Sequence, residues 1–200
     1  MHIDTPIVLE GRFVRLEPLR LAHAEELFAI GHDEEIWRYL PTATPATLEA
    51  MRQWIADTLR QEQAGTAVPF AIIDRALGRA IGSTRYHEIA AEHYGLEIGW
   101  TWLGRAYWRT AFNTECKYLL LRHAFERLGA IRLEIRTDVR NVRSQAAIER
   151  LGAVREGVLR NHRIVKDGYR RSSVYYSIID EEWPAVKARL EGWLAPRAGA

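Results

Sequence analysis

Apolar and polar positions change period several times along the chain, and each change marks a predicted element. Residues 12–17, RFVRLE, alternate as a strand does, and a helix with a polar cap follows at about 22–31. A second helix is predicted from about 45 to 63, PATLEAMRQWIADTLRQEQ, opened by Pro45 and closed before Gly65. The period then falls to two. VPFAIID (68–74), RAIGSTRYHEI (79–89) and YGLEIGWTWL (94–103) read as strands joined by short turns, an antiparallel meander. Farther on, Leu121, Ala124, Phe125 and Leu128 fall at i, i+3, i+4 and i+7, which predicts a long helix at about 113–128. AIRLEIRTD (130–138) alternates again, and the helix leading into it implies a parallel neighbour across a crossover. A helix, SQAAIERLG, then ends at Gly152, and two strands flank KDG, whose Asp167-Gly168 pair signals a tight turn. The last helix, DEEWPAVKARLEGWL, begins at Asp180 with acids in its first turn, and Pro196 with the RAGA after it reads as a frayed end.

The order of elements predicts a mixed α/β (α+β) fold: a mostly antiparallel, twisted sheet of about seven strands with flanking helices and a C-terminal helix. Two hundred residues at 48% hydrophobic content suffice for one core, so a single domain over 1–200 is expected. With 28 basic and 26 acidic residues the net charge is +2, which leaves no footprint of a polyanion binder, and nucleic acid is not the leading partner. Segment 155–171 is locally basic, six Lys/Arg against two acids, and is read as a solvated hairpin face rather than an acidic-partner or RNA surface. Cys116 has no second cysteine to pair with, which fits a reducing cytoplasm and a small buried side chain. No signal-like N-terminus and no uncharged run of the roughly 18 residues a membrane span needs can be found, so a soluble cytoplasmic chain is expected.

The junction between the strand LEIGWTWL and the long helix carries the first chemistry. The leading N–H groups of a helix lack intrahelical partners and lie at the positive end of its dipole, so a strand, a short loop and a helix start form an anion site. Here that stretch is YWRTAFNTECKYLLL, Tyr107 to Leu121.

Three motifs together give a resemblance. The loop from Trp108 to Asn113 stands where the GCN5-related N-acetyltransferase superfamily has Gln/Arg-x-x-Gly-x-Gly/Ala, wrapped around the pyrophosphate of acetyl-coenzyme A. RNVRSQAAIERLGAVREGVLR (140–160) resembles the Asn-x-x-Ser, helix, Leu-Gly pattern of the RimJ/RimL-like group, and EEWPAVKARL resembles that group's tail. The likeness runs from about Arg12 to the last helix. Trp108 replaces the leading Gln or Arg, and Arg109 and Ala111 stand where glycines are usual. Glycine serves where a backbone takes positive φ or nears a ligand; Asn113 tolerates the left-handed region, and Arg109 can add a charge-assisted bond to a phosphate.

The resemblance implies acetyl transfer from acetyl-coenzyme A, with no metal, to a primary amine: a protein N-terminus or a small molecule. Such transfer needs a neutral amine, yet an α-amine has a pKa of roughly 8 and a lysine about 10.4. A base is wanted, and the resemblance nominates Glu97; His87 and Asp138 are weaker candidates. It also assigns the acetyl and pantetheine contacts to backbone near Thr101, Trp102 and Leu103, and the diphosphate to Arg109, Thr110, Ala111, Phe112, Asn113 and Thr114. The tyrosine that protonates the leaving thiolate in many members is replaced by Ile148. In its place the RimJ/RimL pattern puts Ser144, with Asn141 on a pantetheine amide; helix capping is the other reading of Ser144. Trp100, Trp102 and Trp108 could line an acceptor groove or simply be core. Trp37, Tyr39 and His87 are placed on the acceptor side by the family's layout. Homodimers are common in the family, so a second copy is a candidate partner. The same fold holding coenzyme A without turnover is the alternative function.

Overall fold

In the computed structural model, which describes residues 1–195, eight strands form one sheet in the order β1-β2-β3-β4-β5-β6-β8-β7. They are β1 (Leu9–Glu10), β2 (Val14–Pro18), β3 (Ala67–Asp74), β4 (Arg79–Ala90), β5 (Gly95–Leu103), β6 (Arg132–Asp138), β7 (Val154–Ile164) and β8 (Arg170–Ile179). All neighbours are antiparallel except β5 and β6, the predicted parallel pair. The eighth strand beyond the expected seven is the two-residue β1, too short to leave a periodic signal. The frayed end expected at 196–200 lies outside the described residues.

The helices are α1 (Ala24–Gly31), α2 (Glu34–Trp37), α3 (Leu48–Gln63), α4 (Ala111–Glu126), α5 (Val142–Leu151) and α6 (Trp183–Leu194). Helix α3 starts at Leu48 rather than at Pro45, because the Thr47 side chain accepts from the Ala50 N–H at 3.1 Å and so caps the first turn. One layer of core lies between the sheet and α1–α3 and includes Trp37, Trp54, Trp102, Ala71 and Ile73; the other, under α4–α6, includes Leu96, Ile98, Leu120, Leu133, Ile148 and Leu190. Helix α4 is therefore pressed into the sheet along most of its surface, and even Glu115 and Lys117 are buried there.

Two irregularities shape β5. Ser83 opposes Trp102 while Arg85 opposes Gly99, so two residues of β5, Trp100 and Thr101, stand against Thr84 alone. Trp100 takes a left-handed φ of 54° to make this bulge. On the other edge, pairing with β6 stops after Glu97↔Glu134. Past that point the two parallel strands diverge, and a fork opens in the middle of the sheet.

Candidate active site

The fork opens into a cleft of about 1500 Å³, larger than the 300–1,000 Å³ usual for a single small ligand. Glu97 lies at its base, 2% exposed, with Oε1 3.2 Å from His87 Nε2 and Oε2 2.9 Å from Arg136 Nε. Both contacts are close, and neither is aligned as a hydrogen bond. Gly99 makes the arrangement possible, since a Cβ there would sit 2.2 Å from His87 Nε2. Arg136 also reaches Glu88 at 2.7 Å and the Tyr175 hydroxyl at 2.9 Å, and Tyr175 in turn meets His162 Nε2 at 3.2 Å.

At the far end of the fork stands the mouth of α4. Thr110 is its N-cap; its hydroxyl donates to the Tyr107 carbonyl at 2.6 Å and accepts weakly from the Phe112 N–H at 3.4 Å. In this first turn the N–H groups of Ala111 and Asn113 lie ahead of the first intrahelical hydrogen bond and have no partner among the described residues. Arg109 takes a left-handed φ of 61°, a region that favours glycine. The loop is pinned by Trp108, whose indole N–H donates to the Leu103 carbonyl at 2.9 Å and whose ring carries the Arg143 guanidinium 3.6 Å from its centroid. Burial lowers the pKa of Arg143, and the nearby Arg105 and Arg109 charges lower it further. Three guanidinium groups thus gather where the free amides point.

Thr101, Trp102, Leu103, Arg109 and Thr110 line this cleft, as do Ala111, Asn113 and Thr114. So do Glu97, His87, Tyr39, Asn141 and Ser144. Asn141, not Ser144, caps α5: its Oδ1 accepts from the Ser144 N–H at 3.1 Å. That leaves the Ser144 hydroxyl without a partner among the described residues. Ile148, the position for which the resemblance named a missing tyrosine, lines the cleft as well.

Two expectations are corrected. Trp37 does not line the acceptor side: it is wholly buried against Trp54 and Trp102, with ring centroids 5.5 and 5.2 Å away, and its indole N–H is spent on the Gly31 carbonyl. The Phe112 ring packs on Tyr107 at 4.9 Å and on Phe13 at 6.0 Å, so only its backbone can serve the helix mouth. Asp138, the weaker base candidate, is held in a two-point contact by Arg140, whose Nε and Nη2 lie 3.0 and 2.9 Å from its oxygens. The basic hairpin is not only a solvated face, since Arg163 and Arg171 reach the cleft.

Sequence reasoning missed Lys117, which lies on α4, 5% exposed, and donates to the bulge hydroxyl of Thr101 at 2.6 Å. Burial pulls its pKa down to about 8 against the opposing pull of Cys116 and Glu97. The one signal available was its place inside TECKYLLL, next to a cysteine and an apolar run. Among the described residues no group of three His, Cys, Asp or Glu could hold a metal ion, and no helix is long and apolar enough to cross a membrane.

Sequence and fold are both shared with known proteins. The family model described as Acetyltransferase (GNAT) domain matches residues 14–154. The chain belongs to the GNAT acetyltransferase family. A GCN5-related N-acetyltransferase from Brucella melitensis is 34% identical, with a TM-score of 0.90 over 96% of this chain and 87% of that one. The uncharacterized N-acetyltransferase YoaA of Bacillus subtilis (strain 168) is 28% identical over 177 residues, 87% of this chain and 97% of YoaA. Mycobacterium smegmatis RimJ, solved in complex with CoA-disulfide, shares the fold at 21% identity, with a TM-score of 0.78 over 90% of this chain and 88% of RimJ. As a GNAT member this acetyltransferase moves an acetyl group to an amine.

Proposed function

We propose that the acetyl donor is acetyl-coenzyme A, laid in the fork of β5 and β6 with its diphosphate at the mouth of α4, and that the reaction takes place in the cytoplasm. The observation that carries this reading is the continuity of the fork with the helix mouth. Strand edges left unpaired beyond Glu97↔Glu134 lead directly to free amides ringed by Arg105, Arg109 and Arg143. The amides of Ala111 and Asn113 would hold the diphosphate, with Arg109 adding a charge-assisted bond. Along the freed edge of β5, backbone N–H groups near Thr101 and Leu103 would meet the pantetheine arm and the oxygen that gains charge; Asn141 would meet a pantetheine amide. Acetyl-coenzyme A supplies the activated thioester.

The chain's own groups manage the protons. The Glu97–His87 pair takes the proton of the acceptor amine, directly or through one water. Arg136 holds the carboxylate in place from the other side. Ser144 Oγ lines the cleft without a competing hydrogen bond among the described residues and donates a hydrogen bond to the departing sulfur, which takes its proton from water. A thiol needs only modest help to leave, given its ordinary pKa of about 8.5. The acceptor enters from the face carrying Tyr39, and is a small amine or a peptide N-terminus.

Thiol release from acetyl-coenzyme A with a panel of amines tests this. Glu97→Gln is expected to lower turnover about a hundredfold, the lower range for general acid–base work, with coenzyme binding retained. Unchanged turnover would remove Glu97 from the mechanism.

A further inference from the structure

We propose that the acceptor amine carries a carboxylate, and that Arg171 is the residue that receives it. This rests on the acetyl-transfer reading above and names the substrate class for the same cleft.

Three carboxylates, Glu88 on β4, Glu97 on β5 and Asp138 on β6, stand near this end of the cleft, each already engaged. Glu97 lies between Arg136 and His87. Glu88 Oε1 accepts from Arg136 at 2.7 Å and from Arg163 at 2.8 Å. Asp138 is gripped by Arg140. Arg171 is left over. It lines the cleft, yet forms no hydrogen bond or ion pair among the described residues, and its Nε is buried without a partner. Taking a guanidinium partly out of water without an anion is unfavourable, and a bound anion reverses that. The surroundings sharpen the point. Burial lowers the pKa of Arg171, and although Asp138 and Glu97 oppose this, Arg136 and Arg163 add to it. His162 beside them is lowered by burial and by Arg136, Arg163 and Arg171, which favours its neutral form.

Register decides that the anion belongs to the acceptor and not to the coenzyme. Tyr175 pairs with Arg136 and Ser173 with Asp138, so Arg171, two residues farther along β8, extends the row of side chains that includes Arg136. Leu133, Ile135, Val174 and Tyr176 point the other way, into the core under α4. The coenzyme's diphosphate has its own cations, Arg105, Arg109 and Arg143, at the helix mouth. The acceptor end is also roofed. Lys166, at the tip of the β7–β8 hairpin, donates to the Trp37 carbonyl at 2.7 Å, and Arg140 stacks 3.5 Å from the Tyr169 centroid and 5.8 Å from that of Tyr39. A compact amine with its acid group close to the nitrogen suits such an enclosure.

The test uses amino acids paired with their carboxamides, and short peptides with Asp or Asn in second place, which separates a free acid from a peptide side chain. Each pair is measured by thiol release and, independently of turnover, by calorimetric binding to the coenzyme A-loaded protein. The carboxylate member should be preferred about tenfold or more, as one charge-assisted contact allows. Arg171→Gln should shrink the ratio to about twofold, and Arg171→Lys should keep part of it, since a charge remains without the bidentate fork. Equal binding and turnover of acid and amide in the unaltered protein, or a preference that survives Arg171→Gln, overturns the proposal. If coenzyme A binds but no amine releases thiol, acetyl transfer is the reading that fails, and the binding ratios still decide the role of Arg171.

Discussion

Replacing Lys117 with methionine should make the protein more stable at neutral pH. The side chain is 5% exposed and its ammonium has one neutral partner, Thr101 Oγ1 at 2.6 Å. A fall in pKa from 10.5 to about 8 means that the folded state carries the charge at a cost of about 3 kcal/mol. Methionine removes that cost with similar volume and gives up a hydrogen bond worth about 1 kcal/mol. The net gain should be about 2 kcal/mol at pH 6.5, or some 4–8 °C in melting temperature for a chain of this size. The pH dependence follows from the sign of the shift. Below about pH 8 the lysine is protonated in both states and the gain is constant. Between about 8 and 10.5 the unfolded chain holds a proton that the folded one has lost, so native stability at this site rises with pH and the advantage of methionine fades. Urea denaturation of both proteins at pH 6.5, 8 and 9.5 measures this. A methionine variant less stable at pH 6.5, or a difference that does not move with pH, refutes the reasoning. A cation kept beside the fork at such a cost points to use in the reaction, so the same variant should turn over more slowly.

Other substitutions separate architecture from chemistry. Trp37→Ala, which empties a core position, should lower stability by about 3–5 kcal/mol in urea titrations; a shifted KM for the amine without loss of stability would restore it to the acceptor groove. The Glu115 carboxylate accepts the N–H groups of Arg12, Phe13 and Val14 at 2.7, 2.6 and 2.7 Å. Glu115→Gln places an amide against those donors and should cost about 2–4 kcal/mol, and a loss under about 1 kcal/mol would deny the anchor its role. Arg109→Ala should weaken coenzyme A about tenfold while leaving its diphosphate-free pantetheine fragment unaffected, as calorimetry would show; equal losses on both would count against a phosphate contact.

Much of this was legible before the fold was seen, for reasons particular residues make plain. Alternation in LEIGWTWL and AIRLEIRTD, with a helix between them, leaves little choice but a parallel pair, and the pair is there. The bulge at Trp100 was not legible, because a left-handed φ at a bulky residue has no composition signal. It matters, since it turns Thr101 toward Lys117. Trp37 was misplaced because an aromatic beside a helix end looks the same whether it faces a groove or fills a core; only its packing on Trp54 and Trp102 decides. Lys117 in a helix reads as a solvated charge unless the far side of the helix is known to be buried. Register shifts between Leu159 and Arg163 determine which of the hairpin's arginines turn inward, and no local pattern predicts them. The loop shows the opposite case. The residues of the loop were named from the motif, and its Arg109 adopts a left-handed turn just before the helix start.

The most direct measurement is a pair of calorimetric titrations, one with coenzyme A and one with pantetheine, which lacks the diphosphate. If unpaired amides at the start of α4 grip that diphosphate, coenzyme A binds and pantetheine binds weaker by about a hundredfold or more. Equal affinity for the two, or no heat from coenzyme A at all, would contradict the account.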